Sequence, residues 1–213
     1  MKQKIIISFF ITSFFMISSI VGHAQLKKEN FRLGFAYGVG SQNKYPFNAK
    51  DYTHEVNFYK ILINYRFKEK RKWAFEINLE TSYNVVEHQL LNKWYVKEED
   101  ADNYLELRDL YTQKRTIKEY VLNCGLIARY KIYNNISAYA IGSLGVMTAD
   151  KGTERLAKGF AFSDIFGLGL SYEINKVQLG FRYSVRHTSN LELKQPNGGH
   201  NTTNTEFSVL YKL

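Results

Sequence analysis

The chain has 213 residues, a length suited to one domain, with 29 Lys and Arg against 20 Asp and Glu and a formal charge of +9. The basic excess is spread along the sequence instead of forming a cluster, which argues against nucleic acid as a partner. Cys124 is the single cysteine, so an intrachain disulfide is excluded.

The chain opens "MKQKIIISFFITSFFMISSIVGHAQ", with Lys2 and Lys4 ahead of an apolar run from residue 5 to about residue 21. Gly22 and Ala24 supply the small residues of a signal-peptidase site, so residues 1–24 are expected to be a signal peptide cleaved before Gln25. The competing assignment is a membrane anchor. No cysteine follows the cut, which sets aside the usual lipoprotein class. Without Lys2 and Lys4, residues 25–213 keep 27 of the 29 basic residues against all 20 acidic ones. Beyond the leader no apolar run is long enough for a spanning helix.

From residue 31 onward the chain alternates with a period of two, the mark of strands with two different faces. In 31–39, Phe31, Leu33, Phe35, Tyr37 and Val39 oppose Arg32, Gly34, Ala36 and Gly38. A second strand is expected at about 54–67. In 73–85 the apolar set from Trp73 to Val85 alternates with Glu76, Asn78, Glu80, Ser82 and Asn84. The segments 116–131 and 160–172 repeat the pattern, the former with Cys124 on its apolar face. Further strands are expected at 136–148, 177–187 and 204–213, making eight. The second face mixes Gly, Ala and Ser with Glu, Asn and Arg, a blend suited to the interior of a narrow barrel. Aromatic residues gather at segment ends (Phe31, Tyr37, Trp73, Tyr83, Tyr172, Tyr211), where membrane interfaces favour them.

The connections agree. Those after strands 2, 4 and 6 are short; those after strands 1, 3, 5 and 7 are long, at about 40–53, 88–115, 149–159 and 188–203. Short turns on one side and long loops on the other are the pattern of an outer-membrane barrel, which a two-sheet sandwich has no reason to keep. The fold class expected is therefore all-β, an eight-stranded antiparallel transmembrane barrel over residues 25–213. The loop 88–115, with "KEEDADNYLELRD", is expected to be partly helical.

With both termini in the periplasm, strand 7 ends at the cell surface. His187 closes it on the apolar parity of Val177, Leu179, Phe181, Tyr183 and Val185, and Ser189 shares that parity. From there the chain reads "HTSNLELKQPNGGHNTTN". This stretch resembles the signature of the lipid A 3-O-deacylase (PagL-type) family: His-x-Ser-Asn-Ala-Gly, then Pro-Asn-x-Gly, then an acidic residue. His187, Ser189, Asn190, Lys194, Pro196, Asn197 and Gly199 fit it in register. The resemblance implies an eight-stranded barrel that deacylates lipid A, the lipopolysaccharide anchor of the outer leaflet, without metal or cofactor. It implies Ser189 as nucleophile, His187 as its base and Asn197 as stabiliser of the oxyanion. Asn190, beside the nucleophile, is the other candidate at the oxyanion and substrate side, and its character is more that of a loop-shaping residue.

The chain departs from the family in two places. Leu191-Glu192 replaces the small Ala-Gly pair, and the acidic position falls at Asn201, which orients an imidazole without a full charge. Asp164 is another candidate for that role, because it interrupts the apolar face of strand 6, where a carboxylate is costly. If Asn175-Lys176 is the turn into strand 7, the ladder sets 164 opposite 187. Glu192, Glu206 or no third group complete the alternatives. The function expected is an outer-membrane serine esterase acting on lipid A at the 3-position. A non-catalytic barrel with a structural or adhesion role is the rival, and a general phospholipase is the third reading.

Overall fold

A computed structural model describes residues 26–213. The expected signal peptide, residues 1–24, lies outside the described residues. After a short 3-10 turn, Lys28–Asn30, come eight strands: β1 Phe31–Ser41, β2 Tyr52–Lys70, β3 Trp73–Leu90, β4 Arg115–Tyr133, β5 Ile136–Ala149, β6 Gly159–Ile174, β7 Val177–Ser189 and β8 His200–Lys212. The helix α1, Tyr104–Thr112, sits in the loop between β3 and β4. Every strand pairs antiparallel with its sequence neighbours, and β1 pairs with β8, so the sheet closes into a barrel without an edge.

The short connections are two-residue hairpins at 71–72, 134–135 and 175–176, and Arg71 and Asn175 open theirs with φ of 56° and 54°. Left-handed residues match the twist of tight hairpins. All four longer connections lie at the other end. The Asn175-Lys176 turn fixes the β6–β7 ladder, and Asp164 stands opposite His187 in it.

The two faces divide as their residues dictate. Phe35, Leu126, Phe166 and Phe207 are each at least 60% exposed on the outer wall, an apolar surface that only lipid would cover favourably. Register partners stack along this wall, with Trp73 over Tyr130 at 4.9 Å and Phe181 over Phe207 at 5.1 Å between ring centres.

Inside, charged side chains are stacked in layers, each neutralised by its own partners. Arg129 grips Glu76 with two bonds of 3.0 Å. Above it Arg182 and Lys60 each reach both Glu80 and Glu206, at 2.6–2.9 Å. Higher still Arg186 meets Glu119 at 2.9 Å. These residues fill the bore, as eight strands require. Their pairing is what makes burial tolerable, because an unpaired charge here would cost several kcal/mol.

Several strand ends differ from expectation. Strands β2 and β3 run on to Tyr52 and Leu90, and β8 starts at His200 instead of 204. The extra residues stand at the loop end, where the outward positions meet polypeptide instead of lipid. Thr203, for example, donates its hydroxyl to Tyr45 O at 2.9 Å, so no apolar side chain is needed there.

Candidate active site on the outer wall

The early start of β8 places Asn201 directly across the ladder from His187. The imidazole therefore has Asp164 as its register partner on β6 and Asn201 on β8. Its hydrogen bond goes to Asn201: Nδ1 donates to Oδ1 at 2.7 Å. That contact fixes the tautomer and leaves Nε2 with a free lone pair. Asn201 is itself held by the loop after β1, its backbone N–H reaching Gln42 Oε1 at 3.1 Å.

Ser189 stands two residues later on the same face, half-buried, as the last residue of β7. Among the described residues, no hydrogen bond joins its hydroxyl to His187. Such contacts commonly tighten only when substrate is bound.

Beyond Ser189 the chain turns back on itself. Asn197 Oδ1 accepts the backbone N–H of Asn190 at 2.8 Å, which brings the Asn197 amide to the peptide immediately after Ser189 and leaves its NH2 group to donate elsewhere. Asn190 is 1% exposed, and its side chain donates inward to Lys194 O at 2.6 Å and Pro196 O at 3.4 Å. It braces the loop, and its amide is not offered to the surface. Leu191 and Glu192 both take left-handed φ values, 51° and 62°. That conformation costs an L-residue roughly 1–2 kcal/mol, which is why small residues suit these two positions.

A strut from the β5–β6 loop holds this turn. The Arg155 guanidinium donates to Gly199 O at 2.8 Å, Gly198 O at 3.0 Å and the Tyr95 hydroxyl at 2.8 Å. Gly199 adopts φ of 64°, and a Cβ there would collide with Thr188 O, so the position needs glycine. Between this turn and the 93–112 segment is an open pocket lined by Trp94, Leu107, Tyr111, Pro196 and Asn197. Burial pushes the Tyr111 hydroxyl pKa above its ordinary value, so it stays protonated as a donor.

Of the other sequence candidates, Glu206 is inside the barrel on Arg182 and Lys60, and Glu192 is exposed in the loop. Neither is placed to hold His187. Sequence reasoning did not single out Arg155, because two of its partners are backbone carbonyls and the third, Tyr95, is 60 positions away, so no local pattern marks it.

Residues 59–209 match the sequence profile described as lipid A 3-O-deacylase (PagL). The chain belongs to that family. The family match runs from within β2 to within β8 and includes His187, Ser189, Asn197 and Asn201. Solved structures similar to this PagL-family chain include the outer-membrane enzyme PagL, at 14% identity and a TM-score of 0.49, covering 83% of this chain and 97% of that one. Neisserial surface protein A (NspA) aligns at 12% identity and a TM-score of 0.48, over 86% and 97%. The Yersinia pestis attachment protein Ail aligns at 11% identity and a TM-score of 0.38, over 85% and 95%. Comparison with curated protein sequences gives no significant match.

Proposed function

We propose that this PagL-family barrel is an outer-membrane serine esterase that removes an ester-linked acyl chain from lipid A, at the 3-position. The observation that carries the reading is His187 on the lipid-facing wall with Nδ1 bound to Asn201, and Ser189 two residues on, inside the family's motif. A soluble substrate has no reason to approach such a face. An acyl chain of the outer leaflet already lies against it. Residues 1–24 would direct export and be removed.

In this mechanism Ser189 Oγ attacks the ester carbonyl while His187 Nε2 takes the hydroxyl proton. Negative charge develops on the former carbonyl oxygen, and the Asn197 NH2 group donates to it, a contribution of about 3–4 kcal/mol in comparable sites. Collapse expels the sugar hydroxyl, which receives the proton from His187. Water, deprotonated by the same imidazole, then releases the fatty acid from Ser189. Asn201 keeps Nδ1 protonated and Nε2 aimed outward throughout. It cannot offset the imidazolium with a full charge, so turnover should be slower than with an acid at this position. The reaction needs no metal or cofactor.

Mass spectrometry of lipid A from cells with and without the protein tests the reading. Loss of the mass of one hydroxyacyl chain is the expected result, and an unchanged spectrum with the barrel present in the membrane overturns it. The second reading, a non-catalytic barrel, is favoured by the amide at position 201. It predicts that unchanged spectrum.

A further inference from the structure

At the upper end of the bore, directly behind the outer-wall site, three histidines meet. His54 on β2, His88 on β3 and His200 on β8 are 3%, 0% and 3% exposed, and one ring nitrogen from each lies within 4.8 Å of the others. His54 Nδ1 and His88 Nδ1 face each other at 3.2 Å. We propose that His54, His88 and His200 form a binding site for one divalent transition-metal ion, Zn2+ being the best fit, which ties β2, β3 and β8 together inside the barrel. The site is separate from the deacylation chemistry and does not depend on it.

The geometry matches this ligand class. Metal–imidazole bonds of about 2.0–2.1 Å in a tetrahedron put ligand nitrogens roughly 3.3–3.4 Å apart, close to the His54–His88 separation. The His200 ring is stacked on His54, 4.2 Å between centres and 15° between planes, so it joins the other two by turning about its side-chain torsions until its nitrogen faces the same point. Three neutral imidazoles with no thiolate select zinc, copper or nickel over calcium or magnesium.

The surroundings are those of ligands supported from behind. His88 Nε2 donates to the Glu154 carboxylate at 2.8 Å, which leaves the Nδ1 lone pair directed at the centre of the cluster. A carboxylate behind a ligating imidazole fixes its tautomer and strengthens it as a donor to the metal. His200 Nε2 is 2.9 Å from Thr153 Oγ1, on the same β5–β6 loop.

Among the three histidines and the loop residues behind them, two buried atoms have no hydrogen-bond partner, His200 Nδ1 and Glu154 Oε1. The first is explained by an ion. Thr153 Oγ1 already accepts the amides of Arg155 and Leu156, at 3.2 and 3.0 Å, so in the absence of metal its own proton goes to His200 Nε2. The imidazole proton is then stranded on Nδ1. With metal on Nδ1 the proton moves to Nε2 and faces Thr153, at the expense of the longer amide contact.

The test uses the full chain extracted from outer membranes, without histidine tags, and measures its metal content by elemental analysis. One equivalent of zinc, copper or nickel per barrel is expected. After chelation, Co2+ should restore an intense visible ligand-field band of tetrahedral type, and Zn2+ should raise the thermal unfolding midpoint by about 5–10 °C at saturating concentration. His54→Gln and His88→Gln should each abolish the band, whereas His187→Ala, outside the bore, should keep it. If chelated barrel that remains folded binds no Co2+ and shows no Zn2+-dependent shift, the site does not exist. If the variants bind as the parent chain does, the ion is held elsewhere and the assignment is wrong. Should either glutamine variant fail to fold, Co2+ titration of the parent chain alone still decides the matter.

Discussion

Asn201→Asp returns the family's acidic residue to a position whose Oδ1 lies 2.7 Å from His187 Nδ1. A hydrogen bond between neutral groups contributes about 0.5–1.5 kcal/mol and one to a charged group about 1.5–3 kcal/mol, so the change of acceptor alone adds about 1–1.5 kcal/mol. The part that accelerates turnover is what the carboxylate gives only when His187 becomes an imidazolium. Two unit charges about 4 Å apart near a protein surface attract by roughly 4 kcal/mol. With about 1.36 kcal/mol per decade, kcat should rise between about 10-fold and 10³-fold. Asn201→Ala, which removes the acceptor, should lower kcat by about 2- to 13-fold from the hydrogen bond alone, and further as the wrong tautomer becomes populated. The assay is release of hydroxy fatty acid from lipid A in mixed micelles, with heat-modifiable gel mobility to show that each variant is folded. Asp164→Asn is the companion, because Asp164 faces His187 in the β6–β7 ladder without taking its Nδ1 proton. It should change kcat less than tenfold. A collapse of activity in Asp164→Asn together with indifference to both Asn201 substitutions would refute the reasoning and make Asp164 the orienting group.

Ser189→Ala and His187→Ala should each abolish deacylation in a folded barrel, and the double variant should be little worse than either, since the two groups act as a unit. Trypsin added to intact cells should cut within the 91–114 loop, for instance after Lys93, and spare the Arg71-Lys72 turn on the opposite side; cleavage at that turn would invert the topology. Glu80→Ala should destabilise the barrel by about 3–5 kcal/mol in urea titrations, because Arg182 and Lys60 would share Glu206 alone inside the bore. Glu192→Gly should stabilise the turn by up to about 1 kcal/mol, since its φ of 62° suits glycine, and a loss of stability would show that the side chain matters more than the backbone.

The barrel was legible because lipid and bore make opposite demands at every second residue. Strands from Phe31 to Val39 or Trp73 to Val85 declare themselves without any knowledge of their neighbours. The ladder between Asp164 and His187 followed from one turn, Asn175-Lys176, and from counting. Legibility ended where the strands leave the lipid. "HNTTN" at the start of β8 has no alternation, since Asn201 answers to His187 and Gln42 and Thr203 answers to Tyr45. Its reading as a loop concealed that Asn201 lies on the ladder beside His187. The trihistidine cluster was hidden for a related reason. His54 and His88 are 34 positions apart, His88 and His200 stand on strand extensions that no apolar pattern marks, and only barrel closure brings His200 to the other two.

His187 and Ser189 point out of the barrel, so enzyme and substrate would meet by lateral diffusion within a sheet about one leaflet deep. The concentration that governs such a reaction is the surface fraction of substrate among all amphiphiles, and bulk molarity has little meaning for it. Adding inert detergent to mixed micelles, with protein and lipid A amounts fixed, should slow deacylation in proportion to the dilution of that surface, whereas adding buffer should leave the rate per barrel unchanged. The same orientation makes neighbouring lipids competitors for the wall, so a leaflet tightly packed by divalent cations between phosphates would hold the enzyme back without any inhibitor touching it.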